Sequence, residues 1–451
     1  MSELLLITSP NNNCPERSYA IDIMFHELFG LGKNNYRIQF DDSASSYILN
    51  YGENKTIEIE DHFFNFYKDP LFYINKDAIP QKSIYFHAEG FELPIIYGRD
   101  FYNKKENKVE IGLDIFASIF FMLTRWEESL LGREERGDCD EKQLFTVKHN
   151  LHLRAIVHEY ESFLKHLLPD SFYTNKRKYH VVLSHDVDGI ITPTWIGIIK
   201  KALKQTIHGY PKNRILNLTW KEEIKYKLSF PNEFSQFQKY LSIAKQFDIP
   251  EWFYIKVCKP GEIEATYDPD DRRTRNVIHQ LLAIKNPQIT IGFHPSQSTF
   301  ENKIQWEKEC KRFKKIYDNN ITIGRNHHLL YNQQTLRDWN KITSNDYLHL
   351  SNCTFHKLLG FRNGISVPYP IFDIFHRNVL KVIEHPCQIM DTAIRYCKKT
   401  DSEIWNDINR IIKTSKDHNS ELVLTWHIYI RNSILIKKYF NWCINILHNA
   451  K

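Results

Sequence analysis

The stretch VVLSHDVDGI (181–190) seats three titratable side chains, His185, Asp186 and Asp188, directly behind four residues that read as a buried strand. An ionised carboxylate buried without a partner is costly. Carboxylates two residues apart on an extended chain point to one side. Held that close, they repel each other unless a cation or a shared proton lies between them. The run therefore predicts a divalent-metal site whose remaining ligands come from elsewhere in the chain.

Working outward, SFYTNKRKYH (171–180) just before it is polar and basic, and marks a change of character. Beyond it, strand-like segments at 181–184, 252–257, 289–294, 321–324, 347–351 and 422–427 alternate with helical patterns at 234–247, 274–284 and 304–317. Such alternation predicts a parallel α/β sheet, closed as a barrel or open. In both forms reactive residues gather at the carboxyl ends of the strands. The strand ends here carry a shared theme: FHPSQS after 289–294 with His294, Ser296 and Ser298; GRNHHLLY after 321–324 with Arg325, His327 and His328; and TWHI with His427. Imidazole and carboxylate together suit zinc or another transition metal.

The segment before the boundary reads differently. LLLIT (4–8), YILNYG (47–52) and residues 83–87 are strand-like, whereas Ile115, Ile119, Phe120, Leu123 and Trp126 recur at helical spacing and TRWEE (124–128) ends that helix. A second helix is expected over 149–169, closed by Pro169. No metal spacing, nucleophile motif or phosphate loop stands out in this half. The expected organisation is an accessory α+β domain over residues 1–175 and a second domain over 180–451.

At 451 residues the chain exceeds one ordinary core. Its 60 basic and 54 acidic residues leave a net charge of +6, without a dense basic block, so no nucleic-acid partner is expected. The eight cysteines are scattered and form no C-x-x-C pair, which suits a reducing compartment. MSELLLITSP lacks the basic and long apolar parts of a secretory signal, and the apolar run from Ile115 to Leu123 is too short to cross a bilayer. A cytoplasmic protein with no transmembrane segment is the expectation.

In that order along the chain, HDVD, HPS, GR-x-H and the late W-H resemble the NodB-type polysaccharide deacetylases, from about residue 180 onward. The resemblance is to a branch that writes the Asp-Asp pair as Asp-x-Asp and carries an extra N-terminal domain. It implies a distorted (β/α) barrel. It also implies Asp186 as general base, Asp188 and His294 as metal ligands, Arg325 orienting the base, and His427 as general acid. Arg362 in GFRNG (360–364) falls where the branch has an arginine lining the substrate groove, and Met390–Asp391 falls where it has a Met–Asp pair.

Two positions depart from the pattern. The second histidine of H-x-x-x-H falls on Ser298, and the acid expected around Leu350 is missing from LSNCTFHKLLG. His327, with His328, His185 or water as alternatives, is expected to complete the metal set. Ser296 and His185 are expected to meet the substrate, and Trp195 and Tyr369 are candidates for stacking on sugar rings.

The activity implied is metal-dependent removal of an acetyl group, N-linked in preference to O-linked, from a saccharide intermediate of bacterial surface-polysaccharide biosynthesis. Zinc is the expected metal, with cobalt, nickel or manganese as alternatives, and peripheral contact with membrane-bound biosynthetic enzymes goes with it. Two rival readings remain open. One is a degenerate relative that binds saccharide or a partner enzyme without turnover. The other takes His185–Asp186 as the doublet of a metal phosphohydrolase, a class that holds it on helices and not behind a β-branched run.

Overall fold

A computed structural model describes residues 4–133, 137–174, 176–209, 219–262, 264–317, 320–343, 346–428 and 433–451. Residues 1–3 and Asn175 at the expected boundary lie outside them. The first half forms a six-stranded sheet. In it Leu5–Pro10 pairs in parallel with Tyr36–Asp41 and antiparallel with Ser46–Asn50, followed in order by Thr56–Glu60, Lys108–Leu113 and Gly98–Lys104. Ile84–Ala88 and Phe91–Ile95 form a separate hairpin.

The helix Ile115–Thr124 is buried on every side, as its near-continuous apolar sequence requires. Asp114 caps it through Ala117 N–H, while its other oxygen accepts N–H groups from His62 and Phe63. The helix expected over 149–169 is shorter, Ile156–Leu167. Residues 149–155 are diverted into turns: Asn150 adopts φ 56° and the His152 carbonyl accepts Phe361 N–H at 2.7 Å.

Among the described residues, the second half carries nine strands: β1 (His180–Val187), β2 (Glu251–Ile255), β3 (Ile289–Phe293), β4 (Ile323–Gly324), β5 (Leu348–Leu350), β6 (Tyr369–Asp373), β7 (Asn378–Glu384), β8 (Ile389–Met390) and β9 (Glu421–Thr425). Their order in the sheet is β6-β7-β5-β4-β3-β2-β1-β9-β8, all neighbours parallel except β6 with β7. Helices Ser235–Phe247, Arg272–Leu282, Lys303–Tyr317 and Gln333–Lys341 fill the crossovers, as the periodicity predicts for the first three. The structure is thus mixed α/β. Among the described residues no ladder joins β6 to β8, so the hydrogen bonds draw an open sheet and not a closed barrel.

The strands β6, β7 and β8 were not expected, because prolines and charges interrupt any two-residue alternation there. Side chains of β6 and the residues flanking it tie the halves together. Ile365, Val367, Tyr369, Phe372 and Ile374 complete the hydrophobic core of the first half. Phe372 lies 5.6 Å from the Phe120 ring, and Tyr19 Oη donates to the Pro370 carbonyl. Tyr369 is therefore core and offers no stacking surface, while Trp195 is 50% exposed. The eight cysteines are unbridged. No helix among the described residues is long and apolar enough to cross a membrane.

Candidate active site

Parallel pairing places successive strand ends side by side. Ile255 of β2 sits opposite Val187 of β1 and opposite Phe293 of β3, while Phe293 sits opposite Gly324 of β4. The next residues along these strands are Asp188, Lys256, His294 and Arg325, which makes four chemically active side chains from four neighbouring strands. His427 arrives from the end of β9, two residues past Thr425, which pairs with Ser184.

The pleat sorts the HDVD run. Asp186 faces the cluster, while His185, one residue earlier, faces the opposite side, as adjacent strand residues must. There His185 is fully buried against Tyr240 and Phe253. Its Nδ1 lies 2.8 Å from the Trp426 carbonyl and its Nε2 lies 2.9 Å from Glu251. With both ring nitrogens engaged, His185 has no means of touching a substrate, contrary to its expected place.

Asp186 accepts from Arg325 Nη1 at 2.8 Å, and its second oxygen lies 3.7 Å from His427 Nε2. Burial pushes the Asp186 carboxyl up, but Arg325, His294 and His427 outweigh it and hold the pKa at about 2. Arg325 is itself locked by the Ser351 carbonyl and hydroxyl, both at 2.7 Å, by Thr425 Oγ1 at 2.9 Å, and by the Tyr254 ring beneath it. Ser351 thus supplies Arg325's support next to Leu350, where an acid was expected.

His427 gives its Nδ1 to Asp391 at 2.6 Å, and Asp391's other oxygen accepts the His427 backbone N–H at 3.0 Å. Burial disfavours the charged ring. Asp391, with Asp186 and Asp188 behind it, overrides that and lifts the pKa to about 10. At neutral pH the ring is an imidazolium that presents an Nε2 proton toward Asp186. This gives Met390–Asp391 a physical place in the site that the sequence left unassigned.

Asp188, His294 and His327 offer ligand atoms that all lie within 4.8 Å of one another. His294 donates Nδ1–H to the Arg325 carbonyl at 2.6 Å, since a carbonyl only accepts. Its buried Nε2 is left without a hydrogen-bond partner. His327 donates Nδ1–H to Glu264 at 2.6 Å, an arrangement that orients an imidazole for ligation. Burial, against the pull of Asp188 and Glu264, drives the His327 pKa down to about 4, so its Nε2 is a lone pair at neutral pH. One carboxylate and two imidazoles fit a transition-metal cation in kind. His328 turns away from them to Glu264 at 2.9 Å.

Lys256 was missed by sequence reasoning. It is 2% exposed, and its Nζ lies 2.8 Å from Asp188 Oδ1 and 3.0 Å from His327 Nε2. Its signal was the strand register alone, one rung past the Ile255–Val187 pair. Glu264, which holds both His327 and His328, was missed because it sits in a loop with no motif.

Two other expected site residues are engaged elsewhere, as is Ser298. Ser296 binds Glu309 through both its N–H and its hydroxyl, and Ser298 Oγ lies 2.7 Å from the same hydroxyl. Arg362 donates to Glu128, to Glu141 and to the Thr354 carbonyl in a buried network that also holds Arg125. Its guanidinium clamps the two halves together and is not free in a groove. TRWEE is the other jaw of that clamp.

Residues 5–173 match the model of a family of unknown function, DUF7033. No protein of curated function matches the chain. Among solved structures, a candidate polysaccharide deacetylase from Mycobacterium smegmatis is similar over 60% of this chain and 86% of its own, at 12% identity and TM-score 0.33. A candidate polysaccharide deacetylase involved in O-antigen biosynthesis, from Bordetella bronchiseptica, is similar over 64% of this chain and 89% of its own, at 11% identity and TM-score 0.29. At these scores neither likeness decides the activity of this chain.

Proposed function

We propose that the chain is a hydrolase that removes an acetyl group, N-linked, from a saccharide intermediate of surface-polysaccharide biosynthesis. One observation carries it: a strongly acidic carboxylate (Asp186, held by Arg325) and an imidazolium (His427, held by Asp391) meet at 3.7 Å beside a converging Asp–His–His donor set. That is a proton acceptor and a proton donor next to a place for a Lewis acid. A divalent metal at Asp188, His294 and His327, for which zinc suits the donors best, supplies Lewis acidity toward an acetyl carbonyl and toward water.

The chain's own residues do the rest. Asp186 takes a proton from the attacking water, and Arg325 fixes which oxygen faces it. His427 delivers its Nε2 proton to the amine as the C–N bond breaks, while Asp391 holds the ring in register and stabilises its charge. In this reading residues 180–451 form the deacetylase domain of the NodB type, with the open sheet as a distorted barrel, and residues 1–175 form an accessory domain braced through Arg362. The spread of unbridged cysteines suits a reducing, cytoplasmic setting.

The test is acetate release from an acetylated amino-sugar oligomer, comparing the native chain with Asp186→Asn. Release abolished in a folded variant is expected, and full release would remove Asp186 from the base role. A second reading, saccharide binding without turnover, is favoured by one feature, the Lys256 ammonium lying among the ligand atoms. Oligosaccharide binding without acetate release, with or without added zinc, would select it.

A further inference from the structure

We propose that Lys256 is a tethered cation that fills the seat of the divalent metal, so that a metal enters this site only by expelling the Lys256 ammonium. The inference rests on the reading of Asp188, His294 and His327 as a cation site. Three facts converge on it. The backbone leaves Lys256 no other place: it follows Ile255, which pairs with Val187, so its rung is that of Asp188. The Tyr267 hydroxyl fixes that rung further by accepting Lys256 N–H at 2.9 Å and donating to the Lys256 carbonyl at 3.0 Å.

The side chain is buried, and its ammonium contacts two of the three candidate ligands, Asp188 Oδ1 at 2.8 Å and His327 Nε2 at 3.0 Å. An ammonium donates three hydrogen bonds and accepts none. Here it occupies the His327 lone pair and neutralises the Asp188 charge, which is what a metal would do at those two atoms. The third candidate ligand, His294 Nε2, has no hydrogen-bond partner, and Asp188 Oδ1, although ion-paired with Lys256, has none either. The donors thus describe a cation site, and the chain supplies one charge of its own to it. A divalent ion adds a second charge within the same few ångströms, so the two cations exclude each other.

The experiment is a zinc titration of the chelator-treated, full-length chain by calorimetry, with Lys256→Met and the double variant Lys256→Met/Asp188→Asn alongside and circular dichroism to check folding. Zinc binding must displace the ammonium from one hydrogen bond, to His327, and from one buried ion pair, with Asp188, in the native chain and from neither in Lys256→Met, so one zinc is expected to bind the variant about 100-fold more tightly. The double variant is expected to lose that gain. Equal affinities overturn the proposal, and so does a folded Lys256→Met that binds no zinc. Lys256→Gln, which keeps a polar group in place, is read the same way should Lys256→Met fail to fold. The titration does not depend on acetate release, so failure of the hydrolase reading leaves the zinc result standing.

Discussion

Replacing Arg362 by Met separates two roles for a residue that the sequence placed in the substrate groove. Its guanidinium makes hydrogen bonds of 3.0–3.2 Å to Glu128, Glu141 and the Thr354 carbonyl. Removing one member of a buried ion network costs about 3–5 kcal/mol. Here the lower end applies, because both acids keep other partners. Glu128 still has Arg125, and Glu141 still accepts the N–H groups of His356 and Lys357. With an unfolding entropy of about 2.1 cal/mol/K per residue, a loss of about 3 kcal/mol over 451 residues lowers Tm by about 3 °C. Arg362→Lys, which keeps the charge but not the fork, should fall between. Scanning calorimetry and KM for the acetylated oligomer are the paired measurements. Unchanged Tm with raised KM would refute the clamp and restore the groove.

The remaining predictions concern proton positions. Burial pushes Glu127 up to about 8, against the one backbone N–H it accepts from Phe145. A folded pKa raised above the unfolded value of about 4.5 means stability that is complete below that pH and is lost as pH rises through 8. The urea midpoint should therefore fall between pH 5 and 9 in the native chain and stay flatter in Glu127→Gln. Glu128 and Asp186, both held at about 2, titrate outside that window. Asp391→Asn removes the charge that lifts His427, so acetate release should drop by about 100-fold or more at neutral pH. Its alkaline limb should move down from near pH 10; an unmoved limb would show that Asp391 does not set the His427 proton.

The legible parts of the sequence were those written by short-range physics. The alternation of strands and helices after residue 180 was visible because β1, β2, β3 and β9 are apolar runs bounded by polar residues. The carboxylates and histidines stood out because ionisable groups at the end of an apolar run demand an explanation. The strands β6 to β8 were hidden because they are short or carry a proline or charges, and their burial is divided between cores: Tyr369 and Phe372 of β6 pack into the first half, while Leu380 and Val382 of β7 and Ile389 and Met390 of β8 pack into the second.

The same division holds within the site. By itself the sequence picked out the residues that converge, since Asp186, Asp188, His294, Arg325 and His427 each follow a strand-like run. Only the tertiary structure decided how they are used. The pleat turned His185 away from Asp186, and strand register brought Lys256 to Asp188. Burial withdrew Ser296 and Arg362 into pairs with Glu309, Glu128 and Glu141. Sequence distance says nothing about which lone pairs remain unsatisfied once partners from other strands and from the first half have closed in, and those leftover lone pairs define the site.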